Sequence, residues 1–260
     1  MYRGVSAWIL ASVLALLDVS AAIADDKVAC RPGLIGESFV QAVLDGRTML
    51  LRDGRELRLA GIEVSGSDGA AKASLEAATD GRAVVMLRLG AGADRYGRIS
   101  GLAVAAGSER RSLQVMLLAQ GQARVAARVG DDACAAEFLT AERQARAAGL
   151  GLWSDPAYLI KSAGNPGEIL AERGRFTVVE GVVVSVRESG STIYVNFSRR
   201  WSDDFTVTVP KRNERRFVTA GLELKNLADR RVRVRGTVEE RGGPWIEATR
   251  PEQIELAGHD

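Results

Sequence analysis

The chain has 260 residues, 46% of them hydrophobic, and its 35 lysines and arginines nearly balance its 33 acidic residues. That length and composition accommodate two domains of ordinary size. The one histidine, His259, sits next to the C-terminal end, so no Ser-His-Asp or Cys-His pair and no imidazole-dependent zinc site can be assembled. Catalysis therefore falls to carboxylates, arginines, tyrosines or a hard metal ion. Only five of the basic residues are lysines. Arginine is the better bidentate phosphate ligand, although genome base composition produces the same bias. Charge is close to balanced in both halves of the mature chain, which argues against a histone-like duplex binder.

The N-terminal stretch reads as an address. Arg3 precedes an uncharged apolar run from Val5 to Leu17, and Ala22-Ile23-Ala24 fits a small-x-small cleavage site. Residues 1–24 are expected to be a signal peptide, leaving a mature chain from Asp25 in the periplasm or secreted. The run is shorter than the ~18 residues of a membrane span, so no span is expected in the mature chain; a retained anchor is the competing reading. Export favours pairing of Cys30 with Cys134, the chain's two cysteines, over two separate buried thiols. Such a bridge closes a loop of about a hundred residues and is worth roughly 4–5 kcal/mol by chain entropy.

In the first domain, expected over 25–155, Phe39–Leu44 and Thr48–Leu51 read as strands joined at Asp45-Gly46. Glu56–Val64 reads as a third strand after the turn Asp53-Gly54. Asp68 is placed to cap a helix over Ala70–Ala78. Strands over Ala83–Leu89 and Gly101–Ala105 follow. Next come a helix capped by Ser112 and closed by Gly121, a short strand at Val125, and a helix from Asp131-Asp132 to Ala148 closed by Gly149. Trp153 is expected to pack just after it. A linker is expected over 156–174, where Pro156 and Gly164-Asn165-Pro166-Gly167 break any pattern. Over 175–257, strands at Phe176–Val186, Thr192–Phe197, Phe205–Val209, Arg231–Val238 and Trp245–Ala248, with a helix at Lys211–Thr219, predict a five-stranded Greek-key barrel or a plain sandwich. The fold class is mainly β with helices: an OB-fold-like five-stranded barrel followed by a second small OB-like β-barrel.

Five blocks carry a family resemblance. Val43-Leu44-Asp45-Gly46-Arg47-Thr48, Leu57 to Val64, Asp94-Arg95-Tyr96-Gly97-Arg98, Leu117 to Ala126 and Ala141 to Trp153 stand in order over roughly 36–155. Together they resemble the thermonuclease family, the staphylococcal-nuclease-like domain. The resemblance implies a phosphodiesterase acting on DNA and RNA with Ca2+. It places Arg58 and Arg98 on the scissile phosphate, Glu63 at a metal-ligand position, and Arg95 and Tyr96 among the substrate contacts. Two arginines suit that task because each planar guanidinium holds two phosphate oxygens.

This chain departs from the family pattern at three acidic positions. Arg47 stands where the first motif carries a metal-binding acid, Glu63 replaces an aspartate, and the water-orienting glutamate falls on Gly66. A guanidinium about 4 Å from a dication costs on the order of 8 kcal/mol, unscreened, at an effective dielectric of ~20. Loss of the water-orienting carboxylate removes roughly 10²–10⁴ in rate. The expectation is an impaired or calcium-independent nuclease with no cofactor, Glu63 being the one weak metal candidate and Arg47 a third phosphate contact. The alternative is a non-catalytic module for single-stranded nucleic acid, another polyanion or a protein partner. A register shift that brings in Asp68 as the missing acid stays open.

In the second domain, Phe197-Ser198-Arg199-Arg200-Trp201 and Trp245 read either as rings that stack single-stranded bases, worth ~1–3 kcal/mol per base, or as core. The alternation Arg231-Val232-Arg233-Val234-Arg235 reads as the solvated face of a strand or as a phosphate track.

Overall fold

The structure is a computed structural model that describes residues 30, 32–65, 69–94, 96–107, 111–199 and 203–258. The expected leader and its cleavage site, Gly66, Asp68, Arg95, Arg200, Trp201 and His259 lie outside the described residues.

The first barrel opens with β1 (Leu34–Asp45), β2 (Thr48–Leu51) and β3 (Glu56–Leu59). After a break come β4 (Ile62–Val64), α1 (Gly69–Thr79), β5 (Ala83–Ala93) and β6 (Ile99–Ala105). The strand expected over Glu56–Val64 is thus two strands. At the break Gly61 has φ +78°, and a Cβ there would meet the Phe138 ring at 2.9 Å. Only glycine takes that backbone in that space. The ring of strands closes in the order β1-β2-β3-β6-β5, with β3 and β6 its parallel pair. Met49, Leu51, Leu57, Leu59, Val84 and Met86 fill it.

Three further elements cover the barrel: α2 (Leu113–Ala119), β7 (Ala123–Val125) and α3 (Asp132–Ala147). Ser112 caps α2 by accepting from the Val115 N–H, and Asp131 caps α3 by accepting from Cys134. β4 leaves the barrel to pair with β7. Cys30 and Cys134 form a disulfide that ties the chain ahead of β1 to α3.

The stretch expected as a linker, 156–174, is folded. It contains β8 (Lys161–Ser162) and α4 (Pro166–Leu170), and β8 pairs in parallel with β9 (Phe176–Val182). Ile169 is buried in the second core. The proline and glycines that suggested a linker instead start a short helix, Pro166 standing in its first turn.

The second region continues with β10 (Ser185–Ser189), β11 (Thr192–Asn196), β12 (Thr206–Pro210), α5 (Glu214–Thr219), β13 (Arg231–Thr237), β14 (Glu239–Arg241), β15 (Gly243–Glu247) and β16 (Ile254–Leu256). One sheet runs β10-β11-β12-β15-β14, again with a parallel pair, β12 and β15. A second sheet runs β16-β13-β9-β8. β9 leads into β10 through Val183-Val184, and β13 leads into β14 through Val238. The β9–β13 pairing therefore completes the same circuit that the first barrel makes. Phe197 and Phe205 meet in this core with ring centroids 5.0 Å apart, so Phe197 is a core residue and not a base-stacking platform.

The two barrels are joined by charge. Arg235, fully buried on β13, donates to Glu142 of α3 at 2.5 Å and to Glu255 of β16 at 3.2 Å. Arg146 of α3 also reaches Glu255, at 3.0 Å, and Arg233 bridges Glu180 and Glu255. Burial alone pushes the Glu255 carboxyl up, but Arg235, Arg146 and Arg143 outweigh it and hold the group below the usual carboxylate range. The Glu252 carboxylate caps the Val129 N–H at 2.9 Å across the same boundary. Of the arginine alternation on β13, Arg231 is exposed as expected of a solvated face, but the other two are not. Arg233 and Arg235 are closed inside an ion-pair network, because α3 of the first barrel covers that face with its own glutamate.

Candidate functional site

The tight turn from β1 to β2 fixes the first site residue. The Asp45 carboxylate accepts the Arg47 backbone N–H at 2.8 Å, and the Arg47 carbonyl accepts from Leu59 at the end of β3. The Arg47 side chain then crosses to β4, where Nη1 donates to the Ile62 carbonyl at 3.0 Å and to Glu63 Oε2 at 2.9 Å.

Arg58 stands on β3 between two core residues, Leu57 and Leu59, so its side chain takes the opposite face of the strand. Register sets it opposite Thr48 of β2 and Ser100 of β6. Partial burial, then the charges of Arg47 and Arg98, lower the Arg58 pKa, against Asp45 and Glu63, which raise it. The five groups therefore share one electrostatic neighbourhood.

Arg98 is held by a loop that closes on Asp94. Asp94 Oδ1 accepts the backbone N–H groups of Tyr96 and Arg98, at 2.9 and 3.1 Å, and Oδ2 accepts Arg98 Nε at 2.7 Å. Gly97, at φ +77°, allows the turn. Exposed Tyr96 lies with its ring 5.0 Å from the Arg98 guanidinium. The structure thus brings Arg47, Arg58, Glu63, Tyr96 and Arg98 to one end of the barrel; Arg95 lies outside the described residues.

Sequence reasoning missed Asp94 as the group that orients Arg98, although it stands in the quoted motif. Also missed was Arg124, opposite Glu63 in the β4–β7 register. Arg124 is buried between the rings of Tyr158 and Phe176, 5.3 and 5.1 Å away, and Nη2 donates to the Phe176 carbonyl at 3.1 Å. Burial lowers its pKa, opposed by Glu142, Tyr158 and Glu63. It lines a cavity of about 230 Å³ between the barrels, together with Glu63, Ser65, Tyr158, Lys161 and Arg175. Ser65 and Tyr158 share a hydrogen bond across it. No sequence pattern signals this pairing, because its partners lie in different barrels.

A divalent ion fits this arrangement poorly. Glu63, the carboxylate the resemblance would make a ligand, is already paired with a guanidinium, and Asp45 and Asp94 are occupied by the turn and by Arg98. Among the described residues, no group of three or more Asp, Glu, His or Cys side chains could hold a metal ion. Chemically the site places three guanidiniums, those of Arg47, Arg58 and Arg98, within one electrostatic neighbourhood, a chemistry suited to the oxygens of a phosphodiester.

No curated protein matches the chain. Residues 68–155 match the family described as staphylococcal nuclease homologue. The match begins after Arg47, Arg58 and Glu63, and it contains Arg98 and the helices that cover the barrel. Taken with the closed five-stranded barrel, whose β5 and β6 lie inside the match, those residues show that the chain carries a thermonuclease-like domain.

Proposed function

We propose that this protein is an exported, thermonuclease-like phosphodiester-binding protein in which calcium-dependent cleavage is lost or strongly reduced. Arg47, Arg58 and Arg98 grip a phosphate of single-stranded DNA or RNA, with Tyr96 alongside. The observation that carries this reading is the Arg47–Glu63 ion pair at 2.9 Å. It puts a fixed positive charge against the carboxylate that a dication would need, so the pocket neutralises its own acid without an ion. Gly66 supplies no carboxylate to activate water, wherever the loop places it. Such a clamp stabilises a bound phosphodiester but lacks a group to deliver the nucleophile. Export is supported by the apolar run Val5–Leu17 with its small-residue cleavage pattern and by the Cys30–Cys134 bridge. Among the described residues no helix is long and apolar enough to cross a membrane.

The test incubates the processed protein with single-stranded DNA and RNA, with Ca2+, with other divalent ions and with chelator. Binding without cleavage, weakening as salt rises and lost in Arg58→Ala, is the expected result. Cleavage that needs Ca2+ and disappears in Arg58→Ala would overturn the reading of the site as a clamp.

A further inference from the structure

The outer face of the second barrel carries a cavity separate from the arginine cluster of the first. On β11, Ile193 and Val195 point into the core while Tyr194 and Asn196 take the other face; on β12, Val207 and Val209 point in and Thr206 and Thr208 out; on β15, Ile246 points in and Trp245 and Glu247 out. Register lines these outward residues into two rows. Asn196 stands beside Thr206 and Trp245, and Tyr194 stands beside Thr208 and Glu247. The six residues line a cavity of about 290 Å³.

Two features mark the cavity as built for a ligand. The Thr206 and Thr208 hydroxyl oxygens are buried and have no hydrogen-bond partner among the described residues, and Thr208 is only 4% exposed. Leaving a buried hydroxyl unpaired destabilises a fold, so their retention two residues apart on one face of a strand calls for a partner from outside. The second feature is a pair of rings flanking them. Tyr194 is partly exposed. Trp245, only 5% exposed, lies under the Arg241 guanidinium, whose carbon is 3.1 Å from the ring centroid, so a ligand reaches the ring by displacing that side chain. Arg241 is itself 61% exposed and, besides the ring, pairs among the described residues with its neighbour Glu239 at 3.4 Å, so it can swing off the ring.

We propose that this cavity binds a neutral saccharide ring. The C–H faces of a sugar pack on Tyr194 and Trp245, and its hydroxyls pair with Thr206, Thr208, Asn196 and the Glu247 carboxylate. Strands two and three of such barrels are a recurrent binding face for oligosaccharides and oligonucleotides. Charge selects between them here. Asp204 and Glu247 line the cavity against one arginine, which disfavours a phosphate-bearing strand.

The experiment titrates the full mature chain with cellotetraose, chitotetraose and maltotetraose, and separately with oligothymidylate, by calorimetry. Saturable binding of at least one tetrasaccharide is expected, unchanged between low and high salt. Affinity should fall about tenfold or more in Tyr194→Ala and in the double variant Thr206→Val, Thr208→Val. The double variant should also melt about 2–4 °C higher, because it removes unpaired buried hydroxyls. A purely structural role for the threonines would instead lower the melting temperature. The proposal is overturned if no tetrasaccharide binds at millimolar concentration, if binding survives both variants, or if the double variant melts lower. It also fails if oligothymidylate occupies this face with salt-dependent affinity lost in the double variant, which would make the ligand a single strand.

Discussion

In the first barrel Arg47, Arg58 and Arg98 gather at one end of β2, β3 and β6, each half-buried and none with more than one carboxylate partner among the described residues. In the second, Arg233 and Arg235 lie on β13 under α3, each bonded to two glutamates. The strand order is the same and the residue type is the same. What differs is what covers the strand. An arginine left at a barrel end keeps donors available for a ligand, whereas one roofed by a neighbouring domain spends them on that domain's carboxylates. The pattern of arginines in a sequence therefore says less about anion binding than the identity of the element packed over them.

The strongest way to break this comparison is to remove the roofed arginine. Arg235→Met leaves Glu142 and part of Glu255 buried without a counter-charge and should cost about 3–5 kcal/mol, read as a lower urea midpoint. Arg235→Met with Glu142→Met should recover most of that loss, since the pair is incompletely bonded even now, with Arg235 Nε and Glu142 Oε1 unpartnered. Failure of the double variant to recover would mean that the network does more than fill space. Next in size is the bridge, which lies wholly on the side of the first barrel. Cys30→Ser with Cys134→Ser should lower stability by about 2–4 kcal/mol, measured in the same denaturation.

A third test converts the clamp. Arg47→Asp with Gly66→Glu should create calcium uptake, seen as stabilisation of about 2.7 kcal/mol when Ca2+ is a hundredfold above its Kd. Calorimetry on the well-folded variant decides, and no stabilisation would show that more than these positions set the site. The smallest effect is in acid. Because the folded Glu255 carboxyl sits below its ordinary value, its contribution is complete above an unfolded pKa of about 4.3 and disappears as pH falls through the lower folded value. Urea midpoints measured from pH 6 to 3 should fall less steeply in Glu255→Gln than in the parent chain.

Much of the first barrel was legible because its signals are local. Ser112, Asp131, Gly121 and Gly149 announce helix ends, and short apolar runs between turn residues mark β2 and β6. The break at Gly61 was not legible, since it depends on Phe138 crossing from α3. The structure places Arg47 and Arg98 close enough to Arg58 to act on its charge. It adds Asp94 and Arg124, whose parts are set by contacts. β8, α4, β14 and β16 escaped because they are very short and gain their order from neighbours. Arg233 and Arg235 of β13 were misread for the same reason. A two-residue period reports which way a side chain points but not what lies above it.

The Cys30–Cys134 bond carries a mechanical consequence. It encloses a sequence separation of 104 residues that spans the whole ring of strands in the first barrel. Tension applied between the leading end of the chain and its C-terminus therefore crosses from Cys30 to α3 through the bridge, leaving the enclosed strands off the covalent load path. Reduction would redirect the same pull onto β1 and peel the barrel from its first strand.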